Sequence, residues 1–212
     1  MDLTHISRKR HKLLVMKLRC CCVLGPVAVF SLTVSANLRA QDLTLELDPA
    51  STRIEFSLGA QLHAVHGTFA MKSGTIRFNP ASGSASGSVV IDVKSGQSGN
   101  DRRDRKMHEE VLQSDQYPDA TFTPTKMSGA FPAQGSSTIQ VEGNFRIHGG
   151  DRAMTLMVPL QVSGSSVNLK AQVVIPYVQW GMKNPSTFIL RVSDKVDLDI
   201  AASGRLTQDR HP

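Results

Sequence analysis

Four histidines away from the chain termini are the side chains of this sequence best suited to chemistry: His63, His66, His108 and His148. Imidazole binds metals and exchanges protons near neutral pH, so a metal site or an acid–base pair is what they could supply. His63 and His66 are three residues apart on a predicted strand, and they face opposite sides unless a bulge at Gly67 turns one of them. Three roles stay open for these side chains: structural hydrogen bonding, contact with the polar head of a ligand, and metal binding.

A run of charged residues lies on a predicted helix in the middle of the chain. Its members are Asp101, Arg102, Arg103, Asp104, Arg105, Lys106, Glu109 and Glu110. Mixed signs are typical of a solvated helix face with intrahelical pairs; the alternative is that one arginine, with Arg103 as the candidate, contacts a ligand head group. Glu109 and Glu110 are adjacent and diverge on a helix, which argues against an acid–base dyad. The sequence has no nucleophile elbow, HExxH, phosphate loop or dinucleotide-binding glycine pattern, and we predict no enzyme.

The N-terminal part reads as a signal peptide over residues 1–40, with a basic region through Arg19, an apolar run and then small residues. Cleavage is expected after Ala36 or Ala40. The apolar run is shorter than the roughly 20 residues of a transmembrane helix, so the mature protein is expected to have no membrane span and to be periplasmic or secreted; the alternative is an uncleaved N-terminal anchor. All three cysteines lie in this leader, and the mature chain is predicted to contain neither disulfides nor thiolate ligands.

Net charge excludes one class of partner. Seven of the 24 basic residues and one of the 18 acidic residues fall within residues 1–40, so residues 41–212 carry 17 of each sign and are formally neutral. Nucleic-acid binding requires a basic face on the folded domain, and we predict no nucleic-acid partner.

The elements that must position these side chains are mostly β-strands, because apolar and polar residues alternate along most of residues 41–212. The alternating segments are LTLELD, TRIEFSL, AVHGTFAM, GTIRFNP, SVVIDV, ATFTPTKM, TIQVEGNFRI, AMTLMVPLQV, VNLKAQVVI and VSDKVDLDIAASG. Roughly eight to ten strands that share one interior predict an all-β fold, an antiparallel up-and-down barrel whose closure removes exposed sheet edges. Helical spacing of Met107, Val111 and Leu112 predicts one short helical insertion around residues 101–116, capped by Asn100 or Asp101 and ended by Tyr117-Pro118.

Four segments in this order resemble the YceI-like family of exported polyisoprenoid-binding proteins: STRIEFSLGAQLHAVHGTFAMKSGTIRFNP, RRDRKMHEEVLQSDQYPDATF, VEGNFRIHG and WGMKNPS. The resemblance covers most of residues 44–206 and is closest to a divergent branch with extra histidines. It implies a lipocalin-like barrel over residues 41–212, in which the RD…M…L…YP…F block is a helix-bearing insertion. It also implies an apolar bore that takes a long isoprenoid chain.

The candidate ligand-binding residues are the large apolar side chains predicted to point inward, with an ordinary filled core as the alternative. They are Phe56, Leu58, Val65, Phe69, Ile76, Phe78, Phe122, Phe145, Leu156, Leu169 and Trp180. Polar contacts with a ligand head group are expected from His63, His108, His148 and Arg103. The expected partner is an isoprenoid or another long-chain lipid, a quinone included, with no other cofactor and no metal. The alternatives are a small metal-assisted hydrolase using His63, His108 and His148, and a structural or stress-related exported domain with a filled core. The oligomeric state stays open.

Overall fold

The computed structural model describes residues 41–61, 63–187 and 191–208, and the predicted leader lies outside the described residues. Nine antiparallel strands form one sheet in this part of the chain. They are β1 (Leu43–Leu47), β2 (Arg53–Ala60), β3 (Val65–Phe78), β4 (Ala85–Gln97), β5 (Asp119–Ser128), β6 (Gly135–Ile147), β7 (Gly150–Ser163), β8 (Ser166–Ile175) and β9 (Val192–Gln208).

The sheet closes into a barrel in which β1 and β2 share one position. β2 pairs with the first part of β3 and with the first part of β9, whereas β1 pairs with the last residues of the same two strands. A 3₁₀ turn at Pro49–Ser51 separates them, and its cap is the side chain of Asp48, which accepts from the Ala50 N–H at 3.0 Å. The other strands follow in the order β9-β8-β7-β6-β5-β4-β3, so the barrel has eight strand positions. The predicted antiparallel barrel is confirmed.

Alternating side chains place one apolar face of every strand inside. On β8, for example, Val167, Ala171, Val173 and Ile175 are buried and Leu169 is half-buried, whereas Asn168, Lys170, Gln172 and Val174 are exposed. This period of two is a property of extended backbone, and the closed sheet turns it into one shared interior.

The single helical insertion is also confirmed. It starts as α1 (Asp101–Lys106), where the Asn100 side chain accepts from the Arg103 N–H at 3.0 Å, and continues as a π-helical turn (Met107–Leu112). The insertion ends before the predicted Tyr117-Pro118 boundary because Gln113 adopts a left-handed conformation with φ of 47°. Among the described residues, none of the helices has the length and apolarity needed to cross a bilayer.

The helical insertion is held to the segment that follows β8. Lys106 Nζ donates to the carbonyl oxygen of Pro185 at 3.1 Å, and Lys183 Nζ lies 2.6 Å from a carboxylate oxygen of Glu110. That hydrogen bond from Lys183 lowers the pKa of the Glu110 carboxyl. Val111 turns inward from the insertion and is buried in the core. The insertion and the segment after β8 therefore lie together at one end of the barrel.

Candidate ligand-binding cavity

The barrel encloses an apolar cavity of about 130 Å³, and all nine strands contribute to its wall. The wall exposes only apolar atoms, and none of its side chains is titratable. Its members are Leu45, Leu47, Thr52, Ile54, Met71, Ile76, Phe78, Ala85, Val89, Ile91, Phe122, Met127, Phe131, Ile139, Val141, Phe145, Met154, Leu156, Val158, Leu160, Leu169, Ala171, Val173, Ile175, Leu198, Ile200 and Ala202. Such a wall can select a ligand by shape and apolarity alone.

Six of the predicted lining residues belong to this wall: Ile76, Phe78, Phe122, Phe145, Leu156 and Leu169. Phe78 and Phe145 help to form the two ends of the cavity. At one end, the Phe78 ring lies 4.8 Å from that of Phe131, which belongs to the loop between β5 and β6. At the opposite end, the Phe145 ring lies 6.3 Å from the ring of Trp180. Their contact with a ligand stays a prediction.

The other five predicted residues lie outside the cavity wall, at the helix end of the barrel. Phe56 and Phe69 face each other at 5.3 Å between ring centroids, and the Phe56 ring rests on Gly67, where a Cβ atom would lie 2.3 Å from it. Leu58 and Val65 are opposite each other in the β2–β3 register and are half-buried. The glycine makes room for the aromatic pair, which forms a layer between the cavity and the helical insertion.

Trp180, the fifth of them, is held at the barrel end by β7. The guanidinium of Arg152 lies 5.9 Å from the centroid of the indole ring, and its Nη2 donates to the carbonyl oxygen of Trp180 at 3.3 Å. A cation over an aromatic face is a stabilising pair. The turn that follows β8 is thereby attached to the start of β7.

A second anchor of this turn is Tyr177, which is buried and donates its hydroxyl to the carbonyl oxygen of Ser193 at 2.6 Å. Burial, and in second place the carboxylate of Asp194, raise the pKa of Tyr177 to about 12. The phenol therefore remains protonated and keeps donating across the neutral range.

Sequence reasoning did not select the three methionines and three alanines of the wall: Met71, Met127, Met154, Ala85, Ala171 and Ala202. The signal for them was present, because they occupy inward positions in strands with apolar alternation. Methionine has a flexible unbranched side chain, and alanine leaves space beside larger neighbours. These residue types determine how much of the bore is free, which strand periodicity does not report.

The histidines do not converge on the cavity. His108 hydrogen-bonds through both ring nitrogens, Nε2 to the Gly96 carbonyl oxygen at 2.8 Å and Nδ1 to the Ser114 hydroxyl at 3.0 Å. His148 Nε2 lies 3.0 Å from the side-chain oxygen of Gln113. With both of its nitrogens engaged, His108 joins the end of β4 to the helical insertion.

His63 and His66 are exposed, and His66 Nδ1 lies 2.9 Å from the hydroxyl of Ser57 on the facing strand. Within the described ranges, no cluster of three or more His, Cys, Asp or Glu residues could hold a metal ion. Arg103, the predicted head-group contact, donates to the Ser98 hydroxyl through its Nε at 2.7 Å and to the Ser98 carbonyl oxygen through its Nη2 at 2.9 Å, and its contact with a ligand stays a prediction. His66, His108, His148 and Arg103 thus each have a hydrogen-bonding partner within the described part of the protein.

Comparison with known proteins agrees with the fold. Residues 45–203 match the model of the YceI-like domain family. The structure of BcnA from Burkholderia cenocepacia is 20% identical, with a TM-score of 0.60, and the match covers 74% of this chain and 98% of that chain. A polyisoprenoid-binding domain from Saccharophagus degradans, implicated in plant cell wall breakdown, is 18% identical with a TM-score of 0.61, covering 77% and 98%. A YceI protein of Campylobacter jejuni is 20% identical with a TM-score of 0.53, covering 71% and 88%.

No functionally curated protein matches the chain in sequence. The family match nevertheless spans most of the chain and coincides with the barrel. The protein therefore belongs to the YceI-like domain family.

Proposed function

We propose that this protein is exported and binds a long-chain isoprenoid, a quinone or a similar amphiphile in its barrel. The observation that carries the proposal is a closed barrel whose cavity wall, drawn from all nine strands, has no titratable side chain. The polyisoprenoid-binding domain of Saccharophagus degradans, which shares the fold, supports this class of ligand. The leader predicted over residues 1–40 supports export to the periplasm or the medium.

Apolar burial alone supplies enough free energy for such binding. Each buried CH₂ group contributes about 0.8 kcal/mol, so a chain of about 20 carbons gains on the order of 16 kcal/mol. Association costs an estimated ~4 to 15 kcal/mol in lost freedom. A chain can therefore bind usefully in a wall that offers no hydrogen bond.

The free volume of about 130 Å³ is close to that of an engineered apolar cavity of about 150 Å³ that takes up benzene. A longer chain then requires side chains of the wall to move. Met71, Met127 and Met154 are suited to this, because each has three rotatable bonds in its side chain and can repack at low cost. We expect the bore to widen around its ligand.

The small free volume also favours a second candidate function, a structural domain with a filled core. The two are distinguished by fluorescence titration with dansylated geranylgeraniol and by mass spectrometry of an organic extract of the native protein. Saturable binding of the probe, together with a co-purifying lipid, supports the carrier. A protein that takes up no probe and yields no lipid is the filled-core domain.

A matched pair of substitutions locates the binding site. Ala202 and Ala201 are neighbours on β9, and Ala202 is buried in the cavity wall whereas Ala201 is exposed. Ala202→Phe fills the bore and is expected to weaken probe binding at least about tenfold, or ~1.4 kcal/mol. Ala201→Phe places the same ring outside and should leave the affinity unchanged. Equal affinities of the two variants would place the probe elsewhere on the protein.

Export is tested separately by sequencing the N-terminus of the protein recovered from the periplasm or the medium. The expected first residue is Asn37 or Gln41, after cleavage behind Ala36 or Ala40. A chain that retains Met1 and stays with the cells would contradict export without affecting the binding proposal.

A further inference from the structure

The strand pairing of the barrel wall is incomplete between β7 and β8. These strands pair over only four positions, from Leu160↔Leu169 to Ser163↔Ser166. On its other side β7 pairs with β6 from Gly150 to Val162, and β8 pairs with β9 along its whole length. Among the described residues, the facing edges of 150–159 and 170–175 have no strand partner, and we call this gap the β7–β8 slit.

Pro159 explains where the pairing stops. The hairpin between β7 and β8 has a two-residue turn, so its closing pair, Ser163 and Ser166, is hydrogen-bonded. In an antiparallel pair every second residue directs its backbone N–H toward the same partner strand. After Ser163, the backbone nitrogens that face β8 are therefore those of Gln161 and Pro159. Proline has no N–H to donate, and the ladder ends at this residue.

The slit brings the outer surface close to the cavity. An outer groove of about 570 Å³ lies over it, with Met157, Pro159, Lys170, Gln172 and Asp199 on its outer side. Ala171 and Ile200 line this groove and also belong to the cavity wall. One layer of small or branched side chains thus separates the two spaces.

Each strand that borders the slit exposes one large apolar side chain. Among the described residues, Met157 on β7 and Val174 on β8 are the exposed large hydrophobic side chains, at 57% and 55%. Outward positions of β7 between Asp151 and Ser163 carry no charge. Exposed apolar side chains are expected where a protein meets an apolar ligand.

The barrel ends offer less access than the slit. At one end the rings of Phe78 and Phe131 pack together in the cavity wall. At the other end lie the aromatic pair of Phe56 and Phe69, next to the helical insertion, and the indole of Trp180 from the segment after β8, which packs against Phe145. Opening either end requires moving packed rings, whereas the slit requires no backbone hydrogen bond to break.

We propose that the β7–β8 slit is the portal through which the apolar chain of an amphiphile enters the bore, and that its polar head stays in the outer groove beside Lys170 and Gln172. This inference rests on the proposed lipid binding. It adds the route and the orientation of the ligand, neither of which follows from the shape of the bore alone.

Clamping the slit tests the portal. In the full chain with Cys20→Ser, Cys21→Ser and Cys22→Ser, the pair Met157→Cys and Gln172→Cys places two exposed thiols opposite each other across the slit, by extension of the β7–β8 register. A bis-maleimide linker joins them. Stopped-flow fluorescence with dansylated geranylgeraniol then measures uptake, which we expect to slow at least about tenfold after linking.

The control pair is Gln161→Cys and Asn168→Cys, where the strands are already paired, and the same linker should leave its uptake rate unchanged. A second variant needs no linker: Pro159→Val restores the missing N–H at an exposed position and should slow uptake by extending the ladder.

Equal uptake rates before and after linking at the slit, with the link verified by mass, would overturn the portal while leaving lipid binding intact. A linked dimer in place of an internal link would overturn it too, because the free edges of two copies would then pair with each other. If the unlinked variants and the parent bind no probe, the proposed function itself fails.

Discussion

Gly143 is the residue at which the filling of the bore can be measured most directly. It occupies an inward position of β6, between the buried Val141 and Phe145, and it pairs with Pro124 of β5. A Cβ atom built at Gly143 would lie 2.5 Å from the carbonyl oxygen of Thr123 and 2.7 Å from the Phe122 ring, whereas ordinary contact begins near 3.4 Å. Gly143→Ala therefore has to displace a ring of the cavity wall, or the backbone of the neighbouring strand.

The size of the effect follows from two opposing terms. Overpacking a well-filled interior costs about 1–3 kcal/mol, and the upper part applies here because one contact is a backbone oxygen. Replacing glycine by alanine also restricts the unfolded chain, which returns about 0.4–1 kcal/mol. We expect Gly143→Ala to lower the free energy of unfolding by about 2 kcal/mol, or roughly 4–8 °C in melting temperature for a chain of this length.

Gly59→Ala is the matched control on β2. A Cβ atom there has its nearest contact at 3.7 Å, with Ser193, so the restriction of the unfolded chain is the main remaining term. Chemical denaturation of both variants measures the difference, which should exceed about 1.5 kcal/mol. Probe affinity should fall for Gly143→Ala only, because the Phe122 ring moves into the cavity. Equal stabilities of the two variants would refute the claim that this side of the bore is tightly packed.

Three further predictions concern the end of the barrel that carries the helical insertion. His108→Ala removes both hydrogen bonds of the ring and should lower the free energy of unfolding by about 1–3 kcal/mol in urea denaturation. The pKa of Tyr177 is about 12 in the folded protein, above the ordinary value of 10.0. Its contribution to stability is therefore present below pH 10 and is lost as the pH rises toward 12. The variant Tyr177→Phe should lack this loss when unfolding is measured across the same pH range. Asn100→Ala removes the helix cap and should cost about 1 kcal/mol by thermal unfolding.

Each of these predictions has a control in the same chain. His66→Ala removes one hydrogen bond on the exposed surface and should change stability by less than about 0.5 kcal/mol. Asn100→Ser retains a capping oxygen and should keep most of the stability of the helical insertion. If wild type and Tyr177→Phe lose stability equally above pH 10, another group is responsible. A His108→Ala variant as stable as His66→Ala would mean that the two bonds of His108 contribute nothing.

The sequence by itself determined which side chains face the interior. Alternation along β6, β7 and β8 identified their buried positions, since the period of two depends only on the extended backbone of a single strand. The helical insertion could also be predicted from the sequence, because the spacing of its apolar residues and its capping residue are local features of the chain. Together these features predicted the antiparallel barrel, and the resemblance of four sequence segments indicated the YceI-like family; both are confirmed.

The tertiary structure decided how strands meet and how much space they leave. That β1 and β2 share one barrel position, and that pairing of β7 with β8 stops at Pro159, depends on partners distant in the chain. The left-handed Gln113 and the two partners of His108 likewise arise from packing rather than from local pattern. Free volume is the difference between the space inside the closed sheet and the summed volumes of all inward side chains, and a pattern read one strand at a time contains neither quantity.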